Sequence, residues 1–127
     1  MYWFQKKSYQ EFHAAFLAEV NECSDFTWIN SSYSNDACGS VMFDIDNNSE
    51  TYVQLFAFET KADAIAELEE FGTQYAITVS INGGTDYTTW DGDDRAEAIK
   101  QAEKFAKEAI KRHALLAELN NANGVGA

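Results

Sequence analysis

An α+β fold in the order α-β-β-β-α-β-β-α is the expectation for this chain, and three patterns carry it. Apolar residues recur at helical spacing in three stretches, alternate with period two in two others, and most neighbouring strands are joined by short polar turns rather than crossovers. One mainly antiparallel sheet with the helices packed on one face gives every apolar stripe something to bury against.

The elements follow in chain order. Ser8-Tyr9-Gln10-Glu11 reads as a capping box, in which the serine and the glutamate three residues on satisfy each other's orphan amides. Behind it Phe12, Phe16, Leu17 and Val20 predict an amphipathic helix from about Ser8 to Cys23, with Glu11, Glu19 and Glu22 outward and His13 half-buried beside the stripe. Between Phe26 and Phe58 the period becomes two: Phe26 and Trp28, then Val41, Phe43 and Ile45, then Val53, Leu55 and Ala57 predict three strands. The loop 31–36 is polar, and Asp46-Asn47-Asn48-Ser49 reads as a hairpin turn because Asn and Asp tolerate left-handed backbone.

Thr60 with Asp63 three residues later opens a second helix, to which Ile65, Leu68 and Phe71 give a buried stripe and Gly72 a C-terminal stop. Tyr75, Ile77, Val79 and Ile81 alternate with Ala76, Thr78 and Ser80, and Asn82-Gly83-Gly84 turns the chain into a last strand ending near Trp90. Asp91, Asp93 and Asp94 stand where a helix N-terminus welcomes negative charge. Ile99, Ala102, Phe105, Ala106, Ala109 and Ile110 carry the final helix to about Leu119. Residues 1–119 are thus expected to form one acidic domain and 120–127 a frayed tail.

At 127 residues, 46% apolar and 14% aromatic, the chain has the material for one core. No apolar run reaches the roughly 18 residues that cross a bilayer, and the opening Met1-Tyr2-Trp3-Phe4-Gln5-Lys6-Lys7 lacks a signal-peptide core, so a cytoplasmic location without membrane contact is expected. Cys23 and Cys38 have neither zinc-ligand spacing nor the density of a disulfide framework and are expected to be buried thiols.

Charge is the anomalous feature. The formal charge is −12, and between Ser8 and Asp94 seventeen Asp and Glu face a single cation, Lys61. Arg95 to His113 then carries six Lys and Arg against three Glu. Its lysines Lys100, Lys104, Lys107 and Lys111 share one helix face, interspersed with Glu97, Glu103 and Glu108 as in an ordinary ion-paired surface. Like charges within a Debye length of about 8 Å repel, so this imbalance works against compactness. It serves either solubility or a partner.

Catalytic patterns are lacking. The histidines His13 and His113 lie on separate predicted helices, no Gly-rich phosphate loop precedes a helix, and Asp44-Ile45-Asp46-Asn47-Asn48 departs from a calcium loop at Ser49 and Leu55. Neither cofactor nor metal is expected, and direct nucleic-acid binding is disfavoured by the shortage of clustered cations. The acids of the β-rich and central segments are the candidate partner-binding set: Asp44, Asp46 and Glu50, then Glu67, Glu69 and Glu70, then Asp86, Asp91, Asp93 and Asp94, with Tyr87 as an aromatic anchor among them. Trp90 is expected to cap the core instead.

In size, acidity and compact α+β layout the chain is similar to small counter-defence proteins of phages and mobile elements, the anti-CRISPR and anti-restriction inhibitors. The charge map itself suggests an acidic face that imitates a phosphate backbone and docks on a basic, nucleic-acid-binding protein or nuclease complex, and the likeness implies an inhibitor acting in this way. Two other readings compete. One is an adaptor domain that holds a protein partner through Tyr87 or Tyr33, with acidity serving solubility; the other is a small metal-dependent hydrolase using the acids from Asp91 to Glu97.

Overall fold

The computed structural model describes residues 7–32, 38–47, 50–68, 72–85 and 90–122. Their order is α1 (Lys7–Cys23), β1 (Ile29–Asn30), β2 (Gly39–Asp44), β3 (Tyr52–Ala57), α2 (Lys61–Leu68), β4 (Tyr75–Ile81), β5 (Gly84–Thr85), β6 (Trp90–Gly92) and α3 (Arg95–Ala122). Both β5 and β6 pair antiparallel with β4, through Ser80 with Thr85 and Ile77 with Trp90, so they are two pieces of the single return strand that the sequence predicts. The sheet is an antiparallel meander, and the fold is α+β as expected.

Period-two alternation sets the register. Val41, Leu55, Ile77 and Trp90 form one rung across β2, β3, β4 and β6, and Phe43, Val53 and Val79 form another. Val41, Val53, Leu55 and Ile77 are fully buried on this face, joined by Phe16 and Val20 of α1 and by Ala98, Ala102, Ala106 and Ala109 of α3. Alanine at these four positions lets α3 lie close on the strands. Asn82 and Gly83 both have positive φ, 51° and 83°, the left-handed pair that a two-residue primed hairpin demands.

α3 begins beside Gly92 and passes Thr51, where His113 Nδ1 lies 3.4 Å from Thr51 Oγ1. At about 1.5 Å per residue, the nine residues beyond His113 run roughly 13 Å further, where Leu115 and Leu119 are exposed. The helix therefore includes residues 120–122, which the sequence assigned to a frayed tail; residues 123–127 lie outside the described ones.

Four other expectations are corrected. Phe26 and Trp28 precede the first strand instead of forming it, because side chains capture their backbone. Asn21 Oδ1 accepts from Trp28 N at 2.7 Å, Asn21 Nδ2 donates to Trp28 O at 3.1 Å, and Ser24 Oγ accepts from Phe26 N at 3.0 Å. Ser8 lies inside α1, where its hydroxyl donates to Glu59 across 51 positions rather than capping toward Glu11; Glu11 pairs with Lys7 instead. Ile65 and Leu68 do not face the core: they are 42% and 50% exposed, and Ala64 is the residue α2 buries. Cys23 is exposed and Cys38 partly so; neither is in a disulfide. The expected Thr60 start of α2 holds, with Asp63 N donating to Thr60 Oγ1 and Thr60 Oγ1 donating to Asp63 Oδ2.

His13 is more buried than a half-exposed helix residue, at 6%. Its Nε2 lies 3.0 Å from Asn30 Oδ1, tying α1 to β1, and burial lowers its pKa below the ordinary 6.5 against the opposing pull of that hydrogen bond. The unfolded chain therefore binds a proton here before the native state does. The His13 contribution to stability is complete above pH about 6.5 and is lost as pH falls through the depressed native value. Urea midpoints between pH 7.5 and 5 are expected to drop more steeply for the native chain than for His13→Gln; parallel slopes would remove His13 as the cause.

Candidate functional site

The expected partner-binding acids lie at two ends of the sheet. Asp44, Asp46 and Glu50 sit where β2 turns into β3, and Asp46 Oδ1 accepts from Glu50 N at 3.4 Å within that turn. Glu67, Asp91, Asp93 and Asp94 belong to the other end, where β3 leads into α2 and β6 into α3. Strands of six residues at about 3.3 Å each put roughly 17 Å between the two groups. Glu69, Glu70, Asp86 and Tyr87, and Tyr33 of the adaptor reading, lie outside the described residues.

At the α2 end the acids gather around a tyrosine that the sequence did not mark. Tyr9 Oη on α1 donates to Asp63 Oδ1 at 2.8 Å. This hydrogen bond holds the proton on the phenol and, with burial and the negative charges of Asp63, Glu59 and Glu67, pushes the Tyr9 pKa up to about 12. Tyr9 thus stands among three carboxylates, those of Asp63, Glu59 and Glu67. Tyr9 and Asp63 are 54 positions apart, so only the docking of α1 on α2 reveals the cluster.

Two of the expected acids have local structural duties. Asp93 receives the Lys61 ammonium, with both oxygens 3.0 Å from Nζ, and accepts from Gln74 N at 2.8 Å; these bonds, the backbone one foremost, hold its carboxyl below the usual range. Asp94 Oδ1 accepts from Glu97 N at 3.0 Å and caps α3, as the sequence proposes. Lys61 Nζ also donates to Gly72 O. The lone cation of residues 8–94 is thereby committed to internal contacts.

The lysine face of α3 lines a shallow groove against α1, where Lys100, Lys104, Lys107 and Lys111 alternate with Glu103 and Glu108 and meet Glu19 and Cys23. Arg95 pairs with Glu19 and stacks over the Phe12 and Phe16 rings at 5.5 and 5.0 Å. Lys107 reaches Asp25 at 4.0 Å, and Glu103 accepts from both Ser24 Oγ and Asp25 N. Positive charge thus lies along the helical layer, interleaved with carboxylates.

The hydrolase reading finds little to use. Among the described residues no three His, Cys, Asp or Glu are grouped to hold a metal ion. The Thr51 hydroxyl, 3.4 Å from His113 Nδ1, belongs to a residue that is 0% exposed and also reaches Asn82 Oδ1, so no substrate meets it. Among the described residues no helix is long and apolar enough to cross a membrane.

A second feature of the α2 end escaped the sequence reading. Phe56 alternates out of phase with Val53, Leu55 and Ala57 and faces away from the core, next to Ala76 on β4. With Phe58 and Leu68 these residues line an apolar cavity on the outer sheet face. Large apolar residues at the outward positions of β3 were the available signal. No protein-family model, curated protein or solved structure matches the chain.

Proposed function

We propose that this chain is a small acidic inhibitor that binds a basic, nucleic-acid-binding protein or nuclease complex by standing in for its polyanion. The observation that carries the reading is the segregation of charge: seventeen acids share residues 8–94 with one lysine, and that lysine is held by Asp93 and Gly72 O. Negative charge clustered on a rigid scaffold steers a cationic cleft toward it and loses strength with salt. The gathering of Asp63, Glu59 and Glu67 about Tyr9 supports the α2 corner as the docking end. Inhibitors of the anti-CRISPR or anti-restriction type are the class that the chain's size and acidity suggest, and a nuclease complex is the partner proposed.

The test is capture from lysate by the tagged chain at low salt, elution by high salt and competition by DNA. Recovery of a nucleic-acid-binding complex, released by either, is the expected result. Glu67→Gln with Asp91→Asn, at exposed positions, is expected to weaken that binding about 2–30-fold, since rim charges contribute roughly 0.2–1 kcal/mol each. Binding indifferent to salt, to DNA and to neutralised acids would refute mimicry. It would favour an adaptor holding its partner by apolar contact, the reading to which the exposed Ile65 and Leu68 lend weight.

A further inference from the structure

The cavity on the outer sheet face has a built apolar interior and lies at the acidic α2 end of the sheet. Its floor is Phe56 and Ala76, cross-strand neighbours on the side opposite Leu55 and Ile77. Phe58 and Leu68 make its walls, and Thr73 and Gln74 its rim. About 230 Å³ is less than the roughly 300–1,000 Å³ of small-molecule sites and enough for one large aliphatic or aromatic side chain.

The Gln74 side and the Phe58 backbone are held before anything binds. Gln74 Nε2 donates to the carbonyls of Phe58 and Glu59, both at 3.1 Å, while Gln74 N donates to Asp93 and Lys61 ties Gly72 O to the same carboxylate. A cavity already shaped by such bonds spares an incoming side chain the cost of ordering it. Charge then selects the occupant. Glu67 precedes the Leu68 wall on α2, and Asp91 stands opposite Ala76 in the β4–β6 register, on the cavity's side of the sheet. Both acids are exposed, and Lys61 is already bound by Asp93.

We infer that this cavity seats a single apolar anchor residue from a basic, extended segment of the partner, whose flanking Lys or Arg side chains meet Glu67 and Asp91. The inference rests on the reading of the chain as an acidic docking protein and names what it grips. A large side chain anchored in a well-packed, desolvated pocket is where binding energy concentrates at an interface. A second copy of this chain would bring further negative charge to the same end of the sheet and is disfavoured.

The experiment uses the full chain and three fluorescently labelled nonapeptides at low salt, followed by anisotropy: leucine between two runs of four lysines, alanine in the same frame, and leucine between two runs of four glutamates. The lysine-leucine peptide is expected to bind at least tenfold more tightly than the lysine-alanine peptide, and the glutamate peptide not at all. Leu68→Gln, at a half-exposed position, is expected to reduce the leucine peptide to the alanine level, with the far-ultraviolet spectrum unchanged. Bound leucine peptide is also expected to slow maleimide labelling of Cys38, which lines the cavity, and not of the exposed Cys23. Equal, salt-sensitive binding of both lysine peptides would overturn the anchor pocket and leave acidic docking standing. Binding of the glutamate peptide, or of no peptide, would also overturn it; DNA-competed capture by the whole chain then judges the docking reading separately.

Discussion

Alanine in place of Trp28 is expected to lower the unfolding free energy by about 3–5 kcal/mol, a large share of the roughly 5–15 kcal/mol that holds a domain of this size. Trp28 is 2% exposed, lies 6.0 Å from the Phe43 ring at a tilt, and donates its indole N–H to Ser24 Oγ at 2.8 Å. Both its backbone groups are bound by Asn21, so the surrounding turn cannot readily collapse into the space left behind. Trp28→Phe restores most of the apolar contact and loses the indole donor, and is expected to cost less than half as much. Urea unfolding followed by far-ultraviolet circular dichroism checks both, since the midpoint moves at constant slope when only stability changes. A loss below about 1 kcal/mol for Trp28→Ala would place the ring outside the core.

The strands that the sequence reveals are those whose neighbours impose nothing beyond the pleat. Val53, Leu55 and Ala57, like Tyr75, Ile77 and Val79, alternate because one face is covered and the other is not, and that pattern is local. At Phe26 and Trp28 the same alternation misleads, since Asn21 and Ser24 offer the backbone hydrogen bonds that a strand would have supplied. Period counts do not register such competition. At α2 the predicted stripe misplaces Ile65 and Leu68 for a related reason: Ala64, a small residue packed beneath the chain near Gly72, is what the helix buries, while these two turn outward; Phe71 lies outside the described residues.

Of the candidate surface, the sequence reveals the amount of charge and little of its placement. Asp44 and Asp46 resemble Asp91 and Asp93 in composition, yet the meander puts the two pairs at opposite ends of the sheet. The corner around Tyr9 needs α1 and α2 to meet, and its member Asp63 read as the acid that opens a helix with Thr60. A contact across 54 positions leaves no trace in local spacing. Phe56 is different, because a large apolar residue on the outward phase of β3 was visible and its meaning depended on Leu68 arriving beside it.

Placing a methyl group at position 39 is expected to have the next largest effect, about 1–3 kcal/mol for Gly39→Ala, because the β-carbon would stand 2.5 Å from His13 Nδ1 and 3.0 Å from Cγ. No backbone angle makes this glycine necessary; the imidazole does. His13 is buried and held by Asn30 from the far side of its ring, so it has little room to yield. The clash is therefore between two named groups, and a double-mutant cycle isolates it. His13→Ala alone loses packing and the Asn30 bond, but with the ring gone Gly39→Ala should become nearly neutral, giving a coupling of at least 1 kcal/mol. Additive losses in the cycle would show that Gly39 serves the β2 backbone, and that the α1 to sheet contact does not depend on it.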